Sequence, residues 1–236
     1  MNDKNTRRGY VDADERDFSD ESLVVLKKAQ EEIHWLMDRG FPIKNAVTFV
    51  GNHYMLSGRQ RLALTRATSS TVSIIERKKR EVFSCGNQIV YIDGFNLIIT
   101  IEVALSGSTL INCMDGTIRD LAGLRGTYRL IDKTDTAIRL IGEELESINV
   151  TGAVFYLDAP VSNTGRLKSR IIELLRDYKY DVSVELINSV DSLLKKKAFV
   201  VSSDAIILNE CVSWINMAAV IIKESINDVG YIDLGK

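Results

Sequence analysis

Histidine and cysteine are scarce in this chain, and their positions exclude several kinds of site. The 236 residues contain 2 histidines, His34 and His53, and 3 cysteines without a Cys-x-x-Cys pair. Structural zinc sites draw on closely spaced cysteines and histidines, so no such site is expected. A histidine-based hydrolase triad is also not expected in the carboxy-terminal part, because no histidine lies beyond His53.

Long apolar runs and a dominant charge are missing as well. No run approaches the roughly 18 apolar residues of a membrane span, and the amino terminus lacks the pattern of a secretory signal, so we expect a cytoplasmic protein. Basic and acidic residues nearly cancel, at 30 against 32. Any nucleic-acid binding would therefore depend on local patches of charge. A hydrophobic content of 45% is ample for a buried core.

The amino-terminal third is typical of a small helical domain. Residues 1–18 are dense in charge and predict a flexible tail, and residues 19–82 predict the helical domain. Helical spacing of apolar residues runs from Ser22 to a stop at Gly40, and a second helix from Pro42 is expected to break at Gly51. Ser57 begins a capping box for a third helix that reaches about residue 67. Residues 70–75 are either helical or extended.

Residues 83–236 alternate between strand and helix patterns, which predicts an α/β/α domain of three layers with a mainly parallel sheet. We expect strands at residues 89–92, 152–157, 182–187 and 198–202. The expected helices cover residues 95–105, 135–147, 164–179, 204–210 and 213–223. Residues 106–132 interrupt the alternation and predict a hairpin or an inserted loop.

Three predicted strands end in the same way, with an aspartate at or just past the carboxyl end. Ile-Val-Tyr-Ile leads to Asp93, Val-Phe-Tyr-Leu to Asp158, and Val-Val-Ser-Ser to Asp204. Neighbouring parallel strands end about 4.8 Å apart at one edge, so these carboxylates could share Mg²⁺ or Mn²⁺ and activate water against a phosphodiester. Asn96 could orient Asp93 or a water molecule. The alternative for Asp93 alone is that it caps the following helix.

A polar loop after Asp158 suits phosphate binding, because it opens a helix whose free N–H groups favour an anion. The candidate residues are Ser162, Asn163, Thr164, Gly165 and Arg166, joined by the hydroxyls of Ser202 and Ser203. The alternative for the loop is simple helix capping. Asp115 and Asp120 are second-tier candidates for the site, with a turn as their alternative role.

Basic residues of the helical region form a candidate nucleic-acid surface. The candidates are Arg59, Arg61 and Arg66 on the third helix and the cluster Arg77, Lys78, Lys79 and Arg80. Short helices joined by glycine turns also loosely resemble a helix-turn-helix. The alternative is a solvated face and a linker, since Glu76 and Glu81 flank the cluster.

Two motifs resemble those of known nuclease domains. Asp93-Gly94-Phe95-Asn96 and Val201-Ser202-Ser203-Asp204 are similar to the first and late acidic motifs of PIN-like and NYN-type domains. With Val50-Gly51-Asn52-His53 and Tyr156-Leu157-Asp158-Ala159-Pro160, nearly the whole chain resembles the prokaryotic family called domain of unknown function 434. This resemblance implies a PIN-like fold that binds Mg²⁺ or Mn²⁺ and cleaves RNA, with Asp93, Asn96 and Asp204 in the matching positions. The acid that PIN-like domains usually carry on a helix in the middle of the domain has no match in this sequence, and Asp158 is its candidate substitute.

The leading hypothesis is a metal-dependent, nuclease-like protein acting on RNA, with Asp93, Asp158 and Asp204 as ligands. One alternative is a catalytically inactive nucleic-acid-binding or scaffolding protein that uses the basic residues. Another is a nucleotide or phosphoester enzyme that holds a small ligand in the loop at residues 162–165. The sequence leaves the oligomeric state open, a homodimer included.

Overall fold

The computed structural model describes residues 6–123, 126–227 and 229–235. Its first part is helical, as predicted. The helices are α1 (Asp14–Asp17), α2 (Asp20–Met37), α3 (Ile43–His53), α4 (Gly58–Ala67) and α5 (Thr71–Arg80). Among the described residues, none of the helices combines the length and the apolar character that crossing a membrane requires.

Serine side chains cap the starts of three of these helices, α2, α4 and α5. Ser19 caps α2 by accepting a hydrogen bond from the backbone of Ser22, and Ser57 and Gln60 form the expected capping box at α4. Ser70 caps α5, so residues 70–75, for which the sequence allows a helix or an extended segment, begin a helix. The predicted break at Gly51 is wrong, because α3 continues to His53. The guanidinium of Arg61 packs where a Cβ on residue 51 would stand, at 2.9 Å, so this glycine allows close packing rather than ending the helix.

The second part contains a parallel sheet of five strands in the order β5-β4-β1-β6-β7. The strands are β1 (Ile89–Asp93), β4 (Gly152–Asp158), β5 (Asp181–Ile187), β6 (Val200–Val201) and β7 (Trp214–Ile215). All four pairings within this sheet are parallel. The predicted α/β class with a mainly parallel sheet is therefore confirmed. β7 lies where the sequence predicted the start of a helix, because Trp214 and Ile215 pair with β6 before α11 begins.

Helices cover both faces of this sheet. They are α6 (Gly94–Leu105), α7 (Thr134–Ser147), α8 (Thr164–Leu175), α9 (Val190–Leu194), α10 (Ala205–Leu208) and α11 (Met217–Ser225). Val90 and Ile92 of β1 share a buried cluster with residues of α6, α7, α8 and α11. Tyr91, which points the other way on the pleated strand, packs with the cluster that contains α9 and α10.

A smaller sheet joins the two parts of the chain. β2 (Leu110–Asn112) and β3 (Ile118–Asp120) form an antiparallel hairpin, and β8 (Tyr231–Asp233) runs parallel to β2. The hairpin lies within residues 106–132, where the sequence predicted a hairpin or an insertion. Ile111 and Leu234 share one buried cluster with Leu26 of α2 and Val50 of α3. The domain boundary at residues 82 and 83 stays a prediction, and this core crosses it.

The part of the predicted tail that the structure describes, residues 6–18, is attached to the rest of the chain. Asp14 and Asp17 are buried, and Asp14 forms an ion pair with Arg59 at 2.8 Å. Arg8 forms an ion pair with Glu102, which is fully buried on α6. Composition did not indicate these contacts, because the partners are distant in sequence. Residues 1–5 of the predicted tail lie outside the described residues.

Candidate acidic site at the sheet edge

The order of the strands determines which strand ends are neighbours. β1 lies between β4 and β6, and all three run in the same direction. Asp93 is the last residue of β1 and aligns with Tyr156, two residues before Asp158 closes β4. Asp204 follows β6 and is the N-cap residue of α10. The topology therefore brings the three aspartates named from the sequence to one edge of the sheet.

Asp93 both caps a helix and belongs to this edge. Its Oδ1 accepts a hydrogen bond from the backbone of Asn96 at 3.4 Å, so the capping role weighed from the sequence is present. Its Oδ2 accepts a hydrogen bond from Ser202 Oγ at 2.9 Å, which ties β1 to the loop after β6. Burial, with smaller contributions from the negative charges of Asp204 and Asp191, raises the pKa of Asp93 to about 7, and the hydrogen bonds from Ser202 and the backbone of Asn96 oppose that rise.

The side chain of Asn96 contacts the loop after β6, whereas its backbone N–H contacts the carboxylate of Asp93. Asn96 Oδ1 accepts hydrogen bonds from the backbone N of Ser203 at 2.9 Å and from Ser203 Oγ at 3.0 Å. The side chain therefore positions the segment that carries Asp204. Ser202 and Ser203 are buried in this network and join α6 to the loop. Their predicted contact with phosphate stays a prediction.

The other acids at this edge influence one another. Asp204 accepts a hydrogen bond from the backbone of Ile206 at 2.6 Å and so caps α10. Burial raises the pKa of Asp158, and a hydrogen bond from the backbone of Val190 opposes that rise. Partial burial raises the pKa of Asp191, and the negative charges of Asp204 and then Asp158 also raise it. The side chain nevertheless keeps part of its surface in solvent. We call Asp93, Asp158, Asp191 and Asp204 the acidic edge.

Asp191 was missed by the sequence reasoning although a signal was present. It lies on the short helix α9, a few residues after β5, which is the neighbour of β4. The rule that found the other aspartates, an acid soon after a parallel strand, applies here too. The loop between strand and acid concealed it, because the sequence did not predict a helix as short as α9.

The acidic edge offers only carboxylate oxygens, the ligand type that Mg²⁺ and Mn²⁺ prefer. The chemistry of the donors therefore fits a hard divalent cation. In their present positions, however, no three histidine, cysteine, aspartate or glutamate side chains within residues 6–123, 126–227 and 229–235 stand close enough together to hold a metal ion. Binding would require the carboxylates to turn towards one another.

A cleft of about 440 Å³ opens beside the acidic edge. Asn96 and Asp204 line it together with Lys44 of α3 and Arg66 of α4. Most of the lining surface is apolar. This edge cleft is therefore built by both parts of the chain.

The polar loop before α8 makes most of its contacts within the protein. Asn163 adopts a left-handed conformation with φ 67° and donates a hydrogen bond from Nδ2 to the carbonyl of Tyr128 at 2.9 Å. The Thr164 hydroxyl hydrogen-bonds to the carbonyl of Val161, and the backbone N of Ser162 donates to Gly126 at 3.0 Å. In the part of the chain that the structure describes, no side chain caps α8. The loop thus anchors residues 126–128, and Gly165 and Arg166 remain exposed.

The second-tier acids have separate contacts. Asp115 Oδ2 accepts hydrogen bonds from Arg77 and Arg119, each at 2.5 Å. Burial alone would raise the pKa of Asp115, but Arg119, Thr117 and Arg77 hold that pKa below its ordinary value. Asp120 accepts a hydrogen bond from Thr100 at 2.9 Å and forms an ion pair with Arg66 at 3.3 Å. These contacts favour structural roles for both acids.

Arg119 is another residue that the sequence did not indicate. Its Nε donates a hydrogen bond to the carbonyl of Ser203 at 2.6 Å, while its other nitrogens contact Asp115 and the carbonyl of Arg66. It therefore connects β3, α4 and the loop that leads to Asp204. Its hydrogen bonds to the carbonyls of Ser203 and Arg66 join residues distant in sequence, and such contacts leave no local pattern that could have indicated it.

The basic residues predicted for nucleic-acid binding are largely engaged by the protein. Arg59 contacts Asp14 and two carbonyls, and Arg61 donates to the carbonyls of Gly51 and Leu56 near the end of α3. Arg77 is 3% exposed, and Arg80 donates to the carbonyl of Asn209. Lys78 and Lys79 pair with Glu81 and Glu76. This arrangement favours the alternative of a solvated and packed face, and the nucleic-acid role stays a prediction.

These features define an α/β protein with a helical amino-terminal region and an acidic sheet edge. The family model called domain of unknown function (DUF5616) matches residues 83–220, and that called protein of unknown function (DUF434) matches residues 25–80. The chain belongs to the DUF5616 family and carries a DUF434 region ahead of it.

Comparison with other proteins supports this assignment. An uncharacterized protein of Methanocaldococcus jannaschii is 35% identical over 187 residues, which cover 78% of this chain and 89% of the relative. No solved structure matches the chain.

Proposed function

We propose that this chain is a PIN-like, metal-dependent nuclease that acts on RNA in the cytoplasm. In this proposal Asp93, Asp158 and Asp204 hold Mg²⁺ or Mn²⁺. The observation that supports it is the strand order β4-β1-β6, in which three neighbouring parallel strands lead to aspartates at one edge of the sheet. Ligand sites of open α/β sheets lie at this edge. One aspartate there is commonplace, whereas a group of them requires an explanation.

The electrostatics of the acidic edge support the proposal. Negative charge from Asp204 raises the pKa of Asp93, and charges from Asp204 and Asp158 raise that of Asp191. Mutual repulsion of this kind costs free energy unless a cation neutralises it. A divalent cation would supply this neutralisation and would activate water towards a phosphodiester. We add Asp191 to the proposed ligands because its charge interacts with those of Asp204 and Asp158.

The remaining residues of the site have positioning roles in this proposal. Ser202 donates to Asp93 Oδ2 and fixes the direction of that carboxylate. Asn96 holds the backbone and hydroxyl of Ser203 and thereby sets the position of Asp204. Arg119 donates a hydrogen bond to the carbonyl of Ser203. Together these contacts would hold the segments that carry Asp93 and Asp204 in place, so that cation binding would need only the carboxylates to turn.

Calorimetric titration with Mn²⁺ tests the proposal. The wild type is expected to bind Mn²⁺, and Asp93→Asn and Asp204→Asn are expected to bind it at least about 10-fold more weakly, because each loses one charged ligand. Asp177→Asn is the matched control, since the Asp177 side chain is 85% exposed after α8 and lies outside the acidic edge. This control should bind Mn²⁺ as the wild type does.

Cleavage of a labelled single-stranded RNA in the presence of Mn²⁺ completes the test. Cleavage by the wild type and the control, and not by the two acidic-edge variants, is the expected result. Absence of Mn²⁺ binding by the wild type would show the proposal to be wrong. Binding without cleavage of RNA would retain the metal site and remove the nuclease activity.

A further inference from the structure

The edge cleft is also lined by the helical region, which the acidic edge does not explain. Ile43 and Lys44 of α3 and Thr65 and Arg66 of α4 line it together with Asn96, Asp204 and Ile206. We infer that this cleft is a subsite for an unpaired nucleotide of a single-stranded polynucleotide, in which Lys44 contacts the phosphate. The inference rests on the proposed function for its position next to the reacting phosphate.

The size and lining of the cleft suit one nucleotide. Its volume of about 440 Å³ lies within the range of sites that bind small molecules, roughly 300–1,000 Å³. Ile43 and Ile99 contribute apolar surface, and Ile206, at the start of α10, is 54% exposed. An exposed isoleucine beside a cleft leaves apolar surface available to the face of a base.

Charge identifies Lys44 as the anion contact. Arg66 is already paired with Asp120, and Arg119 is buried with its guanidinium on Asp115. Lys44 is exposed, and among the described residues no ion pair engages its ammonium group. Of the three cations that line the cleft, Lys44 is therefore the one whose charge is not already matched by a carboxylate.

Apolar lining beside Lys44, which has no ion pair among the described residues, suits a single-stranded polynucleotide rather than a duplex. In a duplex the faces of the bases are stacked on one another and their edges are paired, so apolar side chains cannot reach the faces. In a single strand a base can lie against apolar side chains while the neighbouring phosphate contacts a basic group. The acidic edge, whose Asp204 lines the same cleft, would then meet the next phosphate of the same strand.

Fluorescence anisotropy with a labelled single-stranded oligonucleotide in EDTA tests the inference, because no divalent ion is then present to support cleavage. Lys44→Ala should weaken binding roughly 5-fold and should lower the slope of log affinity against log salt by about 0.7, the value for one contact to a single strand. Ile206→Ser should weaken binding several-fold without changing that slope. Lys28→Ala is the matched control, since Lys28 is exposed on α2 and does not line the cleft, and it should bind as the wild type does.

Separate arms use RNA, DNA and a duplex of the same sequence. Tighter binding of either single strand than of the duplex supports the inference, and the RNA and DNA arms show which sugar is preferred. Equal binding of duplex and single strand, no binding of any single strand, or unchanged binding by Lys44→Ala would overturn it. Circular dichroism of each variant confirms that it is folded.

Failure of the nucleotide subsite and failure of the proposed metal site would give different experimental results. Lys44→Ala should bind Mn²⁺ as tightly as the wild type, because Lys44 lies on α3 and is not one of the carboxylates proposed to hold the cation. If the wild type binds no Mn²⁺ but Lys44→Ala still weakens single-strand binding, the metal site fails and the subsite stands. If Mn²⁺ binds and cleavage occurs but Lys44→Ala changes nothing, the subsite alone fails.

Discussion

Asp93 is the side chain of the acidic edge in which burial and neighbouring charge act most strongly. It is 8% exposed, lies at the end of the central strand of the sheet, and has a single side-chain hydrogen-bond donor in Ser202 among the described residues. A catalytic or metal-binding carboxylate needs its charge near neutral pH. The folded protein therefore holds Asp93 close to the point at which a cation could displace its proton.

The titration of Asp93 predicts a pH-dependent stability that Asp93→Asn removes. Burial raises the pKa of Asp93 from 3.8 to about 7, so the folded state keeps this proton to higher pH than the unfolded state does. The free energy of unfolding should therefore fall as pH rises from about 4 to about 7 through this group, by an amount on the order of a few kcal/mol. In Asp93→Asn that contribution is absent, so the variant should gain stability relative to the wild type across this window.

Urea denaturation in EDTA at a series of pH values measures this difference. The gap between Asp93→Asn and the wild type should widen between about pH 4 and pH 7 and should then stay constant. Asp177→Asn serves as the control, because its exposed carboxylate should leave the profile of the wild type unchanged. Parallel profiles for Asp93→Asn and the wild type would contradict the assignment of the raised pKa to Asp93.

At the scale of elements, the contact between α6 and β4 determines how the site is assembled. A Cβ on Gly94 would stand 2.6 Å from Leu157 Cδ2 and 3.1 Å from the carbonyl oxygen of Tyr156. Gly94→Ala should therefore push α6 away from β4, at a cost of about 1–3 kcal/mol. Because α6 carries Asn96, the same shift should weaken the hydrogen bonds between Asn96 and Ser203.

Gly165→Ala is the matched control for this prediction. Gly165 lies in the first turn of α8, and nothing stands within 4 Å of its added Cβ. The alanine should leave stability unchanged or raise it by up to about 1 kcal/mol, through its higher helix propensity. Urea midpoints measure both variants. A Gly94→Ala protein as stable as the wild type would show that α6 and β4 are not packed this closely.

The elements also show what the sequence could predict. Continuous β-branched runs such as residues 89–92 indicated the buried strands, and the position of Asp93 and Asp158 at their ends followed directly. Short elements were harder to recognise, since β7 has the two residues Trp214 and Ile215 and depends on its pairing with β6 rather than on its own pattern. Asp191 was overlooked for the same reason. Gly51 was misread because its reason for being glycine is the side chain of Arg61, ten positions away.

At the scale of the whole molecule, the helical and α/β parts share their buried surfaces. Gln30 of α2 donates a hydrogen bond to the carbonyl of Leu234 at 2.8 Å, and Arg77 of α5 reaches Asp115 and Asn209. Trp214 in the parallel sheet donates from Nε1 to the carbonyl of Arg77 at 2.8 Å. Contacts between such distant positions carry no sequence pattern. They imply that neither part keeps its full core without the other.

We therefore predict that the chain unfolds in one cooperative transition. The 2 tryptophans differ in environment, because Trp35 is 53% exposed on α2 and Trp214 is fully buried in β7. In a Trp35→Phe background, fluorescence reports the surroundings of Trp214 in the parallel sheet, while far-ultraviolet circular dichroism reports all helices. The two urea transitions should coincide if the shared core couples the parts.

Ile111→Ala tests that coupling directly, since Ile111 of β2 is fully buried in the core shared with α2 and α3. Removing its side chain should cost about 2–5 kcal/mol and should move both transitions together. Val24→Ala, at a position of α2 that is 57% exposed, should change stability by no more than about 0.5 kcal/mol. If Ile111→Ala instead separated the two transitions, the helical region would unfold independently. The edge cleft, whose walls come from both parts, would then be lost before the sheet that carries the acidic edge.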